Sequence, residues 1–269
     1  MSAVIKLSSP ATREFWEIPV LFEDEHLLAL DKPARLLTLP DALDLARPSL
    51  MKLLHGGITA KKPWAAERNL DYLNNANELD FDVTGVLLLA KNKPAFIALA
   101  NRFSSEKAQL KYVALVRGEL LEQEFEVDAK LAPHPVKPDM MRVDRDHGKQ
   151  ARTKFTLLEN FSRSGYALLR AEPLAERLHQ VRVHASHVDL KIVGDELYGG
   201  KPLWLSRLKK DYRLKPGREE RALLGRVALH AEELSLPHPL TGSPVTIKSE
   251  WPKDLKVALK YLRLYSPGA

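Results

Sequence analysis

The segment from residue 77 to residue 91 constrains the fold more than any other part of the chain, because an acidic turn leads directly into an apolar run. The turn carries Asp80 and Asp82, and the apolar run is residues 86–90. Five consecutive apolar residues predict a strand. A carboxylate at the entrance to a strand can act as a nucleophile or a base, although Asp, Thr and Gly are also ordinary turn residues.

Other short apolar runs predict further strands. They lie at residues 20–22, 27–30, 111–116, 155–159, 166–170, 228–236 and 245–248. The runs at 155–159 and 166–170 predict a hairpin. Strands outnumber helices and do not alternate regularly with them, so the pattern predicts an α+β fold with a mixed, largely antiparallel sheet and flanking helices.

Two helices are predicted in the first half of the chain. One covers residues 49–55 and is expected to stop at Gly56 and Gly57. The other begins at Pro94 and continues to about residue 104, with Phe96, Leu99, Ala100 and Phe103 on its buried face. We expect residues 1–16 to be a tail and residues 17–269 to form a single domain, with insertions near 34–76 and 200–227.

Composition narrows the class of protein. The chain has 269 residues, 45% of them hydrophobic and 28% charged, and no apolar run reaches the about 18 residues that span a bilayer. It contains no cysteine, which excludes disulfides and thiolate chemistry. Lys and Arg outnumber Asp and Glu by 41 to 35, and eight of these cations cluster between residues 207 and 226. This excess favours a polyanionic partner only slightly. A cytoplasmic location is expected.

Several sites have more than one interpretation from the residues alone. Asp80 and Asp82 lie two residues apart, so they could act as an acid and base pair, as in a glycoside hydrolase, or cap a turn. His179, His184 and His187 suggest a metal site, but the five-residue gap puts His179 and His184 poorly on one helical face. No cysteine or compact carboxylate set completes a site, so no metal is expected.

Seven short motifs follow one another along the chain, at residues 21–33, 79–91, 111–118, 148–153, 179–184, 192–199 and 229–242. In this order they resemble the motifs of RluA-type RNA pseudouridine synthases. The second motif is similar to the family pattern HRLDxxTSGVLLLAK, which selects Asp80 rather than Asp82 as the family's aspartate. The resemblance covers about residues 20–255 and implies the catalytic fold of that family, with a catalytic cleft.

The resemblance also implies an activity and a set of site residues. The family isomerises uridines in ribosomal or transfer RNA to pseudouridine without a cofactor, and a monomer is expected. Asp80 would initiate cleavage of the glycosidic bond, Arg182 would pair with Asp80, and Tyr112 would pack against the target base. The substrate-binding residues implied by the matching motifs are Leu229, His179, Gln180, Thr84 and Gly85.

Three short stretches depart from the family pattern: residues 77–78, residues 83–85, where the family has Thr-Ser-Gly, and residues 175–177, where it has Thr-Gly-Arg. Where the family has His-Arg before Leu-Asp, this chain has Asn77 and Glu78. A carboxylate at position 78 would repel phosphate. The alternative interpretation is therefore a catalytically weakened or inactive RNA-binding member of the same family.

Overall fold

The computed structural model describes residues 3–42, 44, 46–105, 107–118, 120, 122–137, 139–215 and 217–266. The strands are β1 (Val4–Ser9), β2 (Glu14–Glu23), β3 (Leu27–Lys32), β4 (Asn74–Asn75), β5 (Thr84–Ala90), β6 (Gln109–Arg117), β7 (Glu124–Asp128), β8 (Leu131–Pro133), β9 (Met141–Val143), β10 (Arg152–Phe161), β11 (Tyr166–Pro173), β12 (Lys191–Ile192), β13 (Leu229–Pro237) and β14 (Pro244–Lys248). The helices are α1 (Leu50–Thr59), α2 (Pro63–Ala66), α3 (Lys93–Ser104), α4 (Gln180–His187), α5 (Leu205–Leu208) and α6 (Lys253–Tyr265). No helix within these ranges is long and apolar enough to cross a bilayer.

The chain divides into two compact units. The first comprises Met1–Leu110 and Ala231–Glu250, and the second comprises Lys111–His230 and Trp251–Ala269. The single domain over residues 17–269 stays a prediction.

The first unit contains a series of antiparallel strands that leads from β1 to the buried strand β5. Strand β1 pairs with β2, β2 with β3, and β3 with β5, while β4 pairs with the other edge of β5. All seven residues of β5 are buried, as expected for an apolar strand that is covered on both faces. Helix α1 contributes Leu50 and Leu54 to the core cluster that contains Leu87 and Leu89 of β5.

The predicted N-terminal tail is wrong for residues 4–9, which form β1. Ile5, Leu7 and Ser9 are buried, whereas Lys6 and Ser8 are exposed. This alternation has the period of two that places one face of a strand on a core. The apolar face of β1 therefore stabilises this end of the sheet.

The second unit contains a second antiparallel series of strands. Strand β6 pairs with β11, β11 with β10, and β10 with β7; β12 also pairs with β6, and β8 and β9 form a separate hairpin. The hairpin predicted from residues 155–159 and 166–170 is confirmed as β10 and β11. Strands that pair antiparallel together with flanking helices confirm the α+β prediction.

Both predicted helices of the first unit form, but two details differ. Helix α1 continues through Gly56 and Gly57 to Thr59. A Cβ at Gly57 would lie 2.3 Å from Cζ2 of Trp64, so this glycine allows close packing against the indole rather than ending the helix. Helix α3 buries Ala95 and Leu99, whereas Ala100, predicted on the buried face, is exposed.

Substitution of Gly85, at the start of β5, tests how tightly the first unit is packed around this strand. Its φ is +113°, and a Cβ would lie 2.2 Å from the carbonyl oxygen of Ala231. Gly85→Ala should lower the free energy of unfolding by about 3 kcal/mol or more, because backbone strain is added to a clash with main-chain atoms. Urea unfolding measures the change.

Gly242→Ala is the matched control in the same unit. Gly242 also has a positive φ, +74°, but no atom lies within 4 Å of the added Cβ. This variant should lose only about 1 kcal/mol. Equal losses in the two variants would contradict the assigned close approach.

Candidate active site

Asn77 fixes the start of the segment that carries Asp80. Its side chain is buried, and the amide behaves like a peptide group: Nδ2 donates to the carbonyl of Val86 at 3.1 Å, and Oδ1 accepts from the N–H of Leu88 at 2.8 Å. The N–H of Ala76 donates to the carbonyl of Leu88 at 2.8 Å. Asn77 therefore prolongs the pairing of β4 with β5 by means of a side chain.

Thr38 holds Leu79 in the same manner. Its hydroxyl donates to the carbonyl of Leu79 at 2.7 Å and accepts from the N–H of Leu79 at 3.2 Å. Thr38 is 1% exposed and Leu79 is 2% exposed. Both peptide groups beside Leu79 are thereby satisfied away from water, which fixes the backbone immediately before Asp80.

Lys32 fixes the backbone immediately after Asp80. The ammonium group of this fully buried lysine donates to the carbonyl of Leu36 at 2.6 Å and to that of Phe81 at 3.4 Å. The N–H of Leu36 also donates to the carbonyl of Phe81, at 3.3 Å. Asp80 is consequently held between two residues whose main chains are bonded to buried partners.

Asp80 and Glu78 lie on the more accessible side of this segment. Asn77 and Leu79 are buried, whereas Glu78 is exposed and Asp80 is half-buried, so the alternation places the two carboxylates on one side. Loss of solvation, and then the charge of Asp80, raise the pKa of Glu78. The carbonyl of Asp80 accepts from the N–H of Val83 at 3.1 Å, which forms the turn that leads into Thr84 and β5.

Arg182 lies in α4 of the second unit and pairs with a residue that sequence reasoning missed. Its Nε and Nη2 each donate to a carboxylate oxygen of Asp195 at 2.8 Å. Asp195 is 1% exposed and Arg182 is 7% exposed. A buried guanidinium needs such a partner to offset its desolvation. Asp195 belongs to the motif at residues 192–199. The sequence, however, does not indicate that it pairs with Arg182.

Tyr198 joins two predicted site residues of the second unit. The ring of Tyr198 lies 5.0 Å from Cζ of Arg182, and its hydroxyl lies 2.8 Å from Nδ1 of His179. The N–H of Met141 donates to the same hydroxyl at 2.9 Å. The structure therefore places Arg182 and His179 in one network.

Gln180 is buried at the start of α4 and is bonded to the protein main chain. Its Oε1 accepts from the N–H of Arg177 at 3.1 Å, and its Nε2 donates to the carbonyl of Arg152 at 3.0 Å and to Oγ1 of Thr153 at 3.1 Å. These contacts fasten the helix to β10. They favour a positioning role for Gln180, whose contact with RNA stays a prediction.

The remaining predicted residues are located as follows. Tyr112 is buried in β6 opposite Ala171 of β11, and Leu229 is buried at the start of β13. Thr84 is buried, and Gly85 follows it in β5. Asp80, Thr84 and Gly85 thus belong to the first unit, and the other five predicted residues belong to the second.

The histidine and acid clusters have contacts that are typical of structural roles. Nε2 of the buried His184 donates to the carbonyl of Ala129 at 2.9 Å, and Nδ1 is 2.8 Å from Oγ1 of Thr153. Burial lowers the pKa of His184, which favours the neutral ring. Asp144, Asp146 and His147 are close enough to hold a cation, but Asp144 accepts the N–H groups of the other two at 3.1 and 3.0 Å, as a turn cap does.

Arg226, one of the cations between residues 207 and 226, is not a surface residue. It is 7% exposed, and its Nε and Nη2 donate to the carboxylate of Asp254 at 2.8 and 2.9 Å. Its Nη1 donates to the carbonyl of Val227 at 2.9 Å. These contacts give Arg226 a structural role in the second unit.

Known proteins are similar to this chain in sequence and in fold. The sequence model of the family described as RNA pseudouridylate synthase matches residues 26–187. Ribosomal large subunit pseudouridine synthase D of Xanthomonas campestris pv. campestris is 31% identical over 98% of this chain and 75% of its own length. tRNA pseudouridine synthase C of Pectobacterium carotovorum subsp. carotovorum is 28% identical over 87% of this chain and 59% of its own length.

A solved structure supports the same fold. Human RNA Pseudouridylate Synthase Domain Containing 4 superposes with a TM-score of 0.66 at 21% identity, over 91% of this chain and 92% of the human chain. The chain therefore belongs to the RNA pseudouridine synthase family, as its motifs predict. It is an RNA pseudouridine synthase, an isomerase of uridine in RNA.

The hold of Thr38 on Leu79 can be tested by an isosteric change. Thr38→Val removes the hydroxyl and leaves the N–H and the carbonyl of Leu79 without that partner in a buried place. We expect the free energy of unfolding to fall by about 2 kcal/mol or more. Urea unfolding with an unchanged m-value measures this loss.

Thr246→Val provides the control. Thr246 is exposed on β14, and its hydroxyl is 3.0 Å from that of Ser235. Here solvent replaces the lost bond, so the change should stay within about 0.5 kcal/mol. A Thr38 variant as stable as this control would refute the assigned role.

Proposed function

We propose that this protein converts selected uridines of large-subunit ribosomal RNA to pseudouridine, and that Asp80 initiates the reaction. The observation that carries the proposal is the fixed position of Asp80 at the entrance to β5, between Leu79, held by Thr38, and Phe81, held by Lys32. A half-buried carboxylate whose backbone is fixed on both sides is suited to attack at one atom of a substrate. Transfer RNA is the second candidate substrate, because one relative carries that name.

The proposed reaction is an isomerisation, so the composition of the nucleotide does not change. The bond between N1 of uracil and C1′ of ribose breaks with the help of the Asp80 carboxylate, the base turns, and a bond forms between C5 and C1′. The hydrogen of C5 leaves as a proton, and N1 receives a proton in exchange. No oxidant or reductant enters the balance.

The residues of the second unit have proposed roles in this reaction. Tyr112 packs against the extruded uracil, and Leu229 forms part of the pocket wall. Extrusion of a base costs a few kcal/mol, which contacts to the base and the phosphates offset. Monomeric state and cytoplasmic location stay predictions.

Arg182 is proposed as the residue that orients Asp80. Its bonds to Asp195 use Nε and Nη2 of the guanidinium. A guanidinium that is held rigidly by one carboxylate is a precise partner for a second. Asp195 would then act on catalysis through Arg182.

Asp80→Asn is the direct test of the nucleophile. We expect this variant to lose activity by about 10²- to 10⁴-fold, because the amide is a poor nucleophile and a poor base. The release of tritium from RNA labelled at C5 of uridine measures the rate.

Asp82→Asn is the matched control, two residues away on the same turn, and should retain activity within a few-fold.

Expression of each variant in a strain that lacks the gene, followed by mapping of pseudouridines in ribosomal and transfer RNA, identifies the substrate. If the wild-type protein binds RNA but forms no pseudouridine in either RNA, the catalytic proposal is wrong and the RNA-binding alternative based on Glu78 stands.

The role of Asp195 is tested by comparing two arginine–aspartate pairs of the second unit. Asp195→Asn should reduce kcat by about 10²-fold at nearly constant KM, because Arg182 loses its orientation. Asp254→Asn weakens the Arg226 pair, which has the same bidentate geometry, and should leave kcat unchanged. Equal kcat in the two variants, each checked for folding by circular dichroism, would exclude a positioning role for Asp195.

A further inference from the structure

The side of the first unit that presents Asp80 carries an unfavourable charge for RNA. Glu78 is exposed there and Asp80 is half-buried. The pKa of Glu78 is raised by loss of solvation and by the charge of Asp80, which is a sign that the two carboxylates act on each other. If Asp80 reacts with RNA, as proposed above, a nearby cation has to reduce the repulsion of the phosphates.

Arg47 is such a cation. It belongs to the connection between β3 and α1, and its Cζ lies 4.2 Å from the centroid of the Phe81 ring. Phe81 directly follows Asp80 and is fixed by the bond of its carbonyl to Lys32. The N–H of Arg47 donates to the carbonyl of Asp44 at 3.1 Å. The guanidinium is thus placed beside the catalytic segment by both its backbone and its aromatic contact.

The existing ion pair of Arg47 is weak. Its Nη1 lies 3.5 Å from Oδ2 of Asp41, and the two side chains are 36% and 28% exposed. Within the described ranges of the chain this is the one ion pair of Arg47. A long, half-exposed pair of this kind contributes about 0–1 kcal/mol, so an RNA phosphate can replace Asp41 at little cost.

We propose that Arg47 is an RNA-binding residue that contacts a phosphate beside the target uridine, with its guanidinium plane held by Phe81. Stacking on Phe81 uses one face of the guanidinium and leaves its N–H edge for planar, bidentate recognition of phosphate oxygens. This inference rests on the proposed function of Asp80. The family pattern has an arginine at position 78, where this chain has Glu78. Arg47, which is distant in sequence, would supply the positive charge instead.

Two substitutions separate charge from packing. Arg47→Met keeps a long side chain against Phe81 and removes the charge, whereas Arg47→Lys keeps the charge and loses the planar fork. Binding is measured with an in vitro transcript of bacterial large-subunit ribosomal RNA at several salt concentrations. For Arg47→Met we expect about tenfold weaker binding and a slope of log K against log salt that is smaller by about 0.7–0.9.

Arg47→Lys should retain the wild-type slope and bind with an affinity between those of the wild type and Arg47→Met. Lys6→Met is the control: Lys6 is an exposed cation on β1, paired with Glu17 at 3.1 Å, and β1 is separated from β5 by two strands. It should leave affinity and slope unchanged. Urea unfolding of each variant detects any purely structural effect.

Two results would overturn the inference. One is an unchanged slope in Arg47→Met, and the other is the same loss of affinity and slope in Arg47→Lys as in Arg47→Met. Because affinity and tritium release are measured separately, these results differ from a failure of the proposed reaction, in which the wild-type protein binds the transcript and releases no tritium.

Discussion

The geometry around Asp80 depends on side chains that take the place of main-chain hydrogen-bonding partners. Asn77, Thr38 and Lys32 bond the peptide groups on both sides of the aspartate, and all three are buried. A buried N–H or carbonyl without a partner costs about 1–3 kcal/mol, so the segment has one favourable path through this region. Regular pairing with a strand would have satisfied the same groups, but it would have kept the segment flat against the sheet.

Much of the fold follows from local patterns in the sequence. The apolar run before Lys91 predicts β5, the paired runs near residues 155 and 170 predict a hairpin, and Pro94 marks the first turn of α3. Where prediction fails, the cause is either a tertiary contact or a polar residue that interrupts the apolar pattern. Gly57 remains helical because Trp64 packs against it. The sequence does not predict β1, because Ser9 occupies a buried position of an otherwise apolar face.

The candidate site is predictable in part, and the limit is physical. Motif order predicts Asp80 and Arg182 as site residues, but a sequence does not show which carboxylate pairs with which guanidinium. Arg182 with Asp195 and Arg226 with Asp254 are both bidentate pairs, and the desolvation of each arginine requires such a partner. A count of cations between residues 207 and 226 therefore overstates the charge that is available to RNA, since Arg226 is already neutralised.

Hydrogen bonds to Asn77, Leu79 and Phe81 fix the backbone of this segment. The charge at position 78 is therefore independent of the backbone path. The side chain of Glu78 is exposed, and none of the bonds that hold the segment through Asn77, Thr38 or Lys32 involves it. Its identity can change without moving the aspartate two residues later. A lineage could thus exchange an acid for a base at this position and select a different RNA while the Asp80 carboxylate stays where it is. The segment thus combines a fixed backbone around Asp80 with one exposed side chain, at position 78, that can be replaced.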